Sequence, residues 1–233
     1  MATVTTRTQE TKREKVIATL LLALAIPCSA QLGVIFALLA PFPGALLVWT
    51  IVIMANFLLV GFLVSKILPG QKPTFFMELP PLRMPKLGNV LSKTYTRIIW
   101  YLKEVFPLFI VASIAIWLLQ VTGVFPHILK ALEPLVQAIG LPGDTSDVFL
   151  FGFFRRDYGA AGLYDMKEML SANQLTIAAV VLTLFVPCIA QLMVMFKERG
   201  IKTALPIFFF VLVLAFSSGL LLNFVFHTFH ITL

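Results

Sequence analysis

Leu24-Ala25-Ile26-Pro27-Cys28-Ser29-Ala30-Gln31-Leu32 is answered 160 residues later by Leu184-Phe185-Val186-Pro187-Cys188-Ile189-Ala190-Gln191-Leu192. Outside these strings the same offset sets Ile17 on Ile177, Ala18 on Ala178, Leu22 on Leu182, Val34 on Val194 and Phe36 on Phe196, making eleven identities across residues 17–36. Leucine bias scatters single matches, but it does not produce a shared Pro-Cys-x-Ala-Gln-Leu. The chain therefore contains an internal repeat, and each copy has a proline at the centre of an apolar run. Proline has no N–H and its ring collides with the carbonyl four residues back, here that of Ala23 or Thr183. Pro27 and Pro187 are thus the expected helix breaks, each freeing backbone carbonyls.

The surroundings of the two strings decide the solvent. The 233 residues are 59% hydrophobic and 12% charged, with mean hydropathy +0.95, whereas a soluble domain carries about 25% charged residues. Several apolar runs reach the ~20 residues that carry a helix across ~30 Å of hydrocarbon. They are continuous blocks such as Phe208 to Phe216, without the alternation of an outer-membrane barrel. In lipid every backbone polar group must be satisfied internally, so the spans must be helical. The fold class expected is all-α: a polytopic helical membrane protein with about five spanning helices, one re-entrant hairpin and an inverted repeat of Pro-broken helices.

Working outward, residues 1–15 form a polar lead. Residues 16–68 hold a first span broken at Pro27, a turn at Pro41-Phe42-Pro43-Gly44, and a second span. Residues 69–103 are rich in Pro, Lys and Arg, and Leu87 to Lys103 predicts an interfacial helix. Residues 104–146 carry a third span and an external amphipathic segment. Residues 147–226 carry the hairpin, 147–171, and two further spans, the first broken at Pro187. Residues 227–233 are a tail.

Fourteen of the eighteen Lys and Arg residues fall on one face of this arrangement, and only Lys130 lies plainly on the other. By the positive-inside rule that face, with the N-terminus, is cytoplasmic. Cations precede the first repeat copy and follow the second, so the copies are expected to run in opposite directions. Transporters build substrate sites near the membrane midplane from inverted repeats with interrupted helices. The net charge of +7 sits beside spans, which argues for the lipid bilayer, and not nucleic acid, as the partner.

In each copy the Cys and the Gln three residues later share a helical face. Thiolate, amide oxygen and freed carbonyl suit a borderline-soft divalent metal over magnesium or calcium, which nominates Cys28, Gln31, Cys188 and Gln191. The plainer alternative is a kink with a small packed thiol. Arg155, Arg156 and Asp157 are charges at membrane depth, which points either to function or to an Arg-Asp pair that pins the hairpin tip. Gly159, Ala160, Ala161 and Gly162 suit close helix approach. His127, His227 and His230 lie outside the spans and are weaker candidates for metal capture.

These residues resemble the C-terminal membrane region of the ferrous iron transport protein B (FeoB) family, whose two gate segments each carry a cysteine in a Ser/Pro-Cys-x-Ala context. Pro27-Cys28-Ser29-Ala30 and Phe185-Val186-Pro187-Cys188-Ile189-Ala190 resemble the gates. Phe76-Met77-Glu78-Leu79-Pro80-Pro81-Leu82-Arg83-Met84-Pro85 resembles the linker between them. The resemblance implies a prokaryotic inner or plasma membrane permease with Fe2+ as transported substrate, Cys28 and Cys188 as pore ligands, and Gln31, Gln191 and Asp157 as secondary ones. It implies no permanently bound cofactor and no enzymatic chemistry. The family opens with a GTP-binding domain, and no Gly-x-x-x-x-Gly-Lys-Ser/Thr occurs in these residues. A GTPase-bearing partner is therefore expected, and a homo-oligomer is compatible. The competing expectations are a non-conducting regulatory or assembly subunit, and a permease for an organic solute such as a nucleoside.

Overall fold

A computed structural model describes residues 12–24, 28–67, 86–185 and 188–229; all regular structure among them is helical, with no strand. Ten α-helices follow in chain order: α1 (Lys12–Leu24), α2 (Ser29–Leu39), α3 (Pro43–Ile67), α4 (Leu87–Val121), α5 (Val124–Ala138), α6 (Ser146–Phe154), α7 (Arg156–Asp165), α8 (Ala172–Leu184), α9 (Ile189–Arg199) and α10 (Ile201–Phe229). Pro27, Pro187, His230 and the linker string Phe76 to Pro85 lie outside the described residues.

The repeat governs the architecture. α1 ends at Leu24 and α8 at Leu184; α2 runs Ser29–Leu39 and α9 runs Ile189–Arg199, so the three boundaries recur at the same 160-residue offset. α3 and α10 follow in corresponding places. Each break is the point at which a proline withholds an N–H, and each following helix starts from a cysteine in extended conformation, Cys28 at φ −72° and Cys188 at φ −56°. The carbonyls of these cysteines accept the first bonds of the new helices, from Leu32 at 3.0 Å and Leu192 at 2.9 Å.

The packing repeats as well. α8 packs on α10 and α3, and correspondingly α1 packs on α3 and α10. α2 lies against α8, and α9 against α1. Exchanging the triplet α1-α2-α3 with α8-α9-α10 leaves this set of packed pairs unchanged, as a twofold relation between the copies requires.

α8 is the hub, with all ten residues from Leu175 to Leu184 buried. A helix apolar all round belongs in a core, whether of protein or of membrane. Its start is fixed by a capping box in which Ser171 and Gln174 bond reciprocally. Gln174 Nε2 also donates to the Gly140 carbonyl at 3.2 Å.

Pro43–Lys66 and Ile201–Phe229 are long and apolar enough to cross a membrane, yet only 22% and 28% of their apolar windows are buried within the protein. A soluble protein's core helix is mostly buried. Here Leu47, Ile51, Leu58 and Phe62 on α3, and Val213, Leu221 and Phe224 on α10, face outward. Water does not tolerate so continuous an apolar face, whereas lipid requires one. The chain is an all-α membrane protein.

The interfacial helix over Leu87 to Lys103 and the span beginning at Val105 are one continuous 35-residue helix, α4, with Pro107 inside it. A proline mid-helix costs one backbone bond and bends the helix, but it need not end it.

Over 147–171 the chain forms two short helices, α6 and α7, broken at Arg155, whose backbone is extended at φ −146° and ψ 117°. They cross at glycine: a Cβ on Gly159 would stand 2.7 Å from the Gly152 Cα and 2.8 Å from the Val148 carbonyl oxygen. No side chain fits there.

Candidate cation site at the paired helix breaks

The C-terminal end of α8 leaves carbonyls that the helix cannot satisfy, and two of them are answered by side chains from elsewhere in the fold. Gln31, fully buried on α2, donates from Nε2 to the Leu182 carbonyl at 3.1 Å across 151 residues of sequence. A residue of the first repeat copy thus caps the broken helix of the second. Its Oε1 is buried and has no partner among the described residues. Gln191, the counterpart, is half-buried and makes no matching bond to Leu22 among the described residues, so the pseudosymmetry is broken at this pair.

The second answered carbonyl is that of Phe185, which accepts from Arg156 Nη2 at 3.3 Å. Arg156 opens α7 and is 5% exposed. α7 packs against both α2 and α8, the helices that respectively follow Cys28 and precede Cys188.

The adjacent Arg155 has a different role. It holds Asp157 through two bonds, Nη2 to Oδ2 at 2.6 Å and Nε to Oδ1 at 3.2 Å. It also stacks on the Tyr158 ring, 4.2 Å from the centroid. This is a bidentate pair that pins the hairpin tip.

Cys28 is exposed and Cys188 half-buried, and both are reduced. Among the described residues no three His, Cys, Asp or Glu side chains gather at one point. Cys28, Cys188 and Asp157 therefore form no three-ligand cluster. The two breaks carry two thiols and helix C-terminal ends with partial negative charge, and Gln31 Oε1 keeps its lone pairs open among the described residues. His127 bonds the Gly123 carbonyl at 3.1 Å, away from this centre.

Two structural residues escaped the sequence reading. Trp49 on α3 is 5% exposed, and its Nε1–H donates at 3.1 Å to Thr183 Oγ1. That hydroxyl itself donates to the Ala179 carbonyl at 2.6 Å. Thr183 stands four residues before Pro187, so this bond braces the weakened last turn of α8. A buried indole N–H needs an acceptor, and a hydroxyl at the break was the signal available. Phe185 also anchors an aromatic cluster, with ring centroids 5.6 Å from Phe149 and 5.8 Å from Phe216.

Residues 102–202 match the family model described as "Gate: Nucleoside recognition", and residues 46–97 match that described as "Ferrous iron transport protein B C terminus". The chain is 26% identical over 263 residues to the Fe(2+) transporter FeoB of Methanocaldococcus jannaschii, an alignment taking in 95% of this chain and 39% of the relative. The chain thus spans about two fifths of the curated relative it matches. No solved structure matches. Across nearly its whole length the chain is similar to the FeoB family, and its second family match is to that family's C-terminal region.

Proposed function

We propose that this chain is the membrane permease portion of a ferrous iron uptake transporter, acting with a separate GTPase-bearing partner in a prokaryotic inner or plasma membrane. The observation that carries the reading is the bond from Gln31, three residues after Cys28, to the Leu182 carbonyl, six residues before Cys188, in a chain similar to an Fe(2+) transporter along 95% of its length. Fe2+ is borderline-soft, and thiol sulfur with amide or carbonyl oxygen selects it over magnesium and calcium. Cys28 and Cys188 are the principal ligands from opposite halves, and Gln31 Oε1 is the first oxygen. Gln191 is its counterpart on the other copy, and Asp157 joins only if Arg155 releases it. The role is passage and selection without covalent chemistry. The N-terminus is cytoplasmic and the chain crosses the membrane several times.

Uptake of labelled ferrous iron, measured in cells expressing the chain with its partner and lacking other ferrous uptake, tests this. Cys28→Ser and Cys188→Ser should each lower it about tenfold or more, since a hydroxyl is a poor replacement for a thiolate at a soft site. Normal expression with unchanged uptake contradicts the ligand assignment. Co-purification with a GTP-binding membrane protein is expected.

A second reading, a permease for an organic solute, is favoured by the nucleoside-recognition description of the match over residues 102–202. It predicts saturable nucleoside uptake that survives both cysteine substitutions.

A further inference from the structure

The most unusual group in the molecule is the Arg156 guanidinium. A cationic side chain at membrane depth is expensive unless it is paired or wetted, and this one is only 5% exposed. The chain places it deliberately. Arg155 takes an extended conformation that stops α6, α7 restarts at Arg156, and the Gly152/Gly159 crossing locks the two short helices together. The neighbouring carboxylate, Asp157, is engaged by Arg155. Arg156 instead reaches the Phe185 carbonyl, one of the acceptors exposed where α8 is broken. It lies where α7 packs between the helix that starts after Cys28 and the helix that ends before Cys188.

We propose that Arg156 is a tethered cation that fills the centre between the two Pro-Cys breaks, so that a divalent cation enters only when the guanidinium withdraws. The inference rests on the metal reading of Cys28 and Cys188. The electrostatics match: carbonyl oxygen, thiolate and helix C-terminal ends carry negative charge or partial charge, which attracts a guanidinium as it attracts a metal ion. In a medium of low dielectric, two cations so close repel strongly, and occupancy by one excludes the other. The exit of Arg156 is the step that a partner would control by moving the α6–α7 hairpin as a unit. A guanidinium that merely pinned the hairpin would leave metal affinity unchanged when neutralised.

The test uses the full chain purified in detergent, with Co2+ as probe and its thiolate charge-transfer absorption as readout. Arg156→Gln keeps a donor for the Phe185 carbonyl but removes the charge, and it should tighten Co2+ binding about tenfold or more. Arg156→Lys keeps the charge and should stay near wild type. Equal affinity in wild type and Arg156→Gln, with binding weakened by Cys28→Ser, overturns the tethered cation and leaves the metal reading standing. Binding indifferent to Cys28→Ser overturns both. A measurement on the unaltered chain guards against misfolded variants. Cys28, which is exposed, should react faster with an anionic than with a cationic methanethiosulfonate of similar size, as read by mass spectrometry. Equal rates, or the reverse preference, contradict the proposal.

Discussion

The side-chain amide of Gln31 donates to the backbone carbonyl of Leu182 at 3.1 Å, with the glutamine fully buried. One half of the repeat thereby completes the broken helix of the other, and the two copies are joined at the point where each is weakest. Gln31→Leu leaves that buried carbonyl without its donor, a loss of about 1–3 kcal/mol. Gln191→Leu, at the half-buried counterpart, should cost no more than about 0.5 kcal/mol. Unfolding of the two variants in detergent measures the difference. Equal destabilisation would contradict the asymmetry described here.

Trp49→Phe keeps the aromatic packing against Phe36, 5.9 Å away between centroids, but removes the N–H that reaches Thr183. The expected loss is about 1 kcal/mol. Because the bond braces the turn before Pro187, hydrogen exchange at the end of α8 should accelerate more than at its capped start. A uniform change along α8 would show that the bond is not local bracing.

Two glycines on α7 should behave in opposite ways. Gly159→Ala places a Cβ 2.7 Å from the Gly152 Cα, on backbone that has no room to retreat, and should destabilise by about 1–3 kcal/mol. Gly162→Ala meets only the Val148 Cγ2 at 3.4 Å and should be neutral or slightly stabilising in a helix. Thermal unfolding of the pair checks this, and a tolerant Gly159→Ala would mean that the crossing is looser than described.

Pro187→Ala returns an N–H that can bond the Thr183 carbonyl and continue α8 into α9. Stability should hold or rise, by up to about 3 kcal/mol, while ferrous iron uptake falls, because the carbonyls at the break are then consumed by the helix. Retention of full uptake in a folded Pro187→Ala protein would separate the proline from function.

The sequence showed most of what positions the site. The shared Pro-Cys-x-Ala-Gln-Leu located both helix breaks, and the structure stops and restarts the helices around them at the same offset. The composition settled the all-α membrane class. That α4 runs unbroken from Leu87 to Val121 was only partly legible, because the cations spaced through Leu87 to Lys103 set that stretch apart from the apolar span after it. Nor could spacing show that Gln31 is bound to Leu182, or which of Arg155 and Arg156 turns inward. Both are adjacent cations in one short string, and only the extended backbone at Arg155 sends one to Asp157 and the other to Phe185. Long-range choices of this kind depend on which helices pack together, which local patterns do not encode.

The central claim is that Cys28 and Cys188 belong to one cation site built from two halves. It is tested most directly by following alkylation of each thiol in the presence of Fe2+ under anaerobic conditions. Fe2+ should slow modification of both cysteines in the unaltered chain, and Cys28→Ser should abolish protection of Cys188, just as Cys188→Ser abolishes protection of Cys28. Protection of either cysteine that persists undiminished after loss of the other would contradict a shared site.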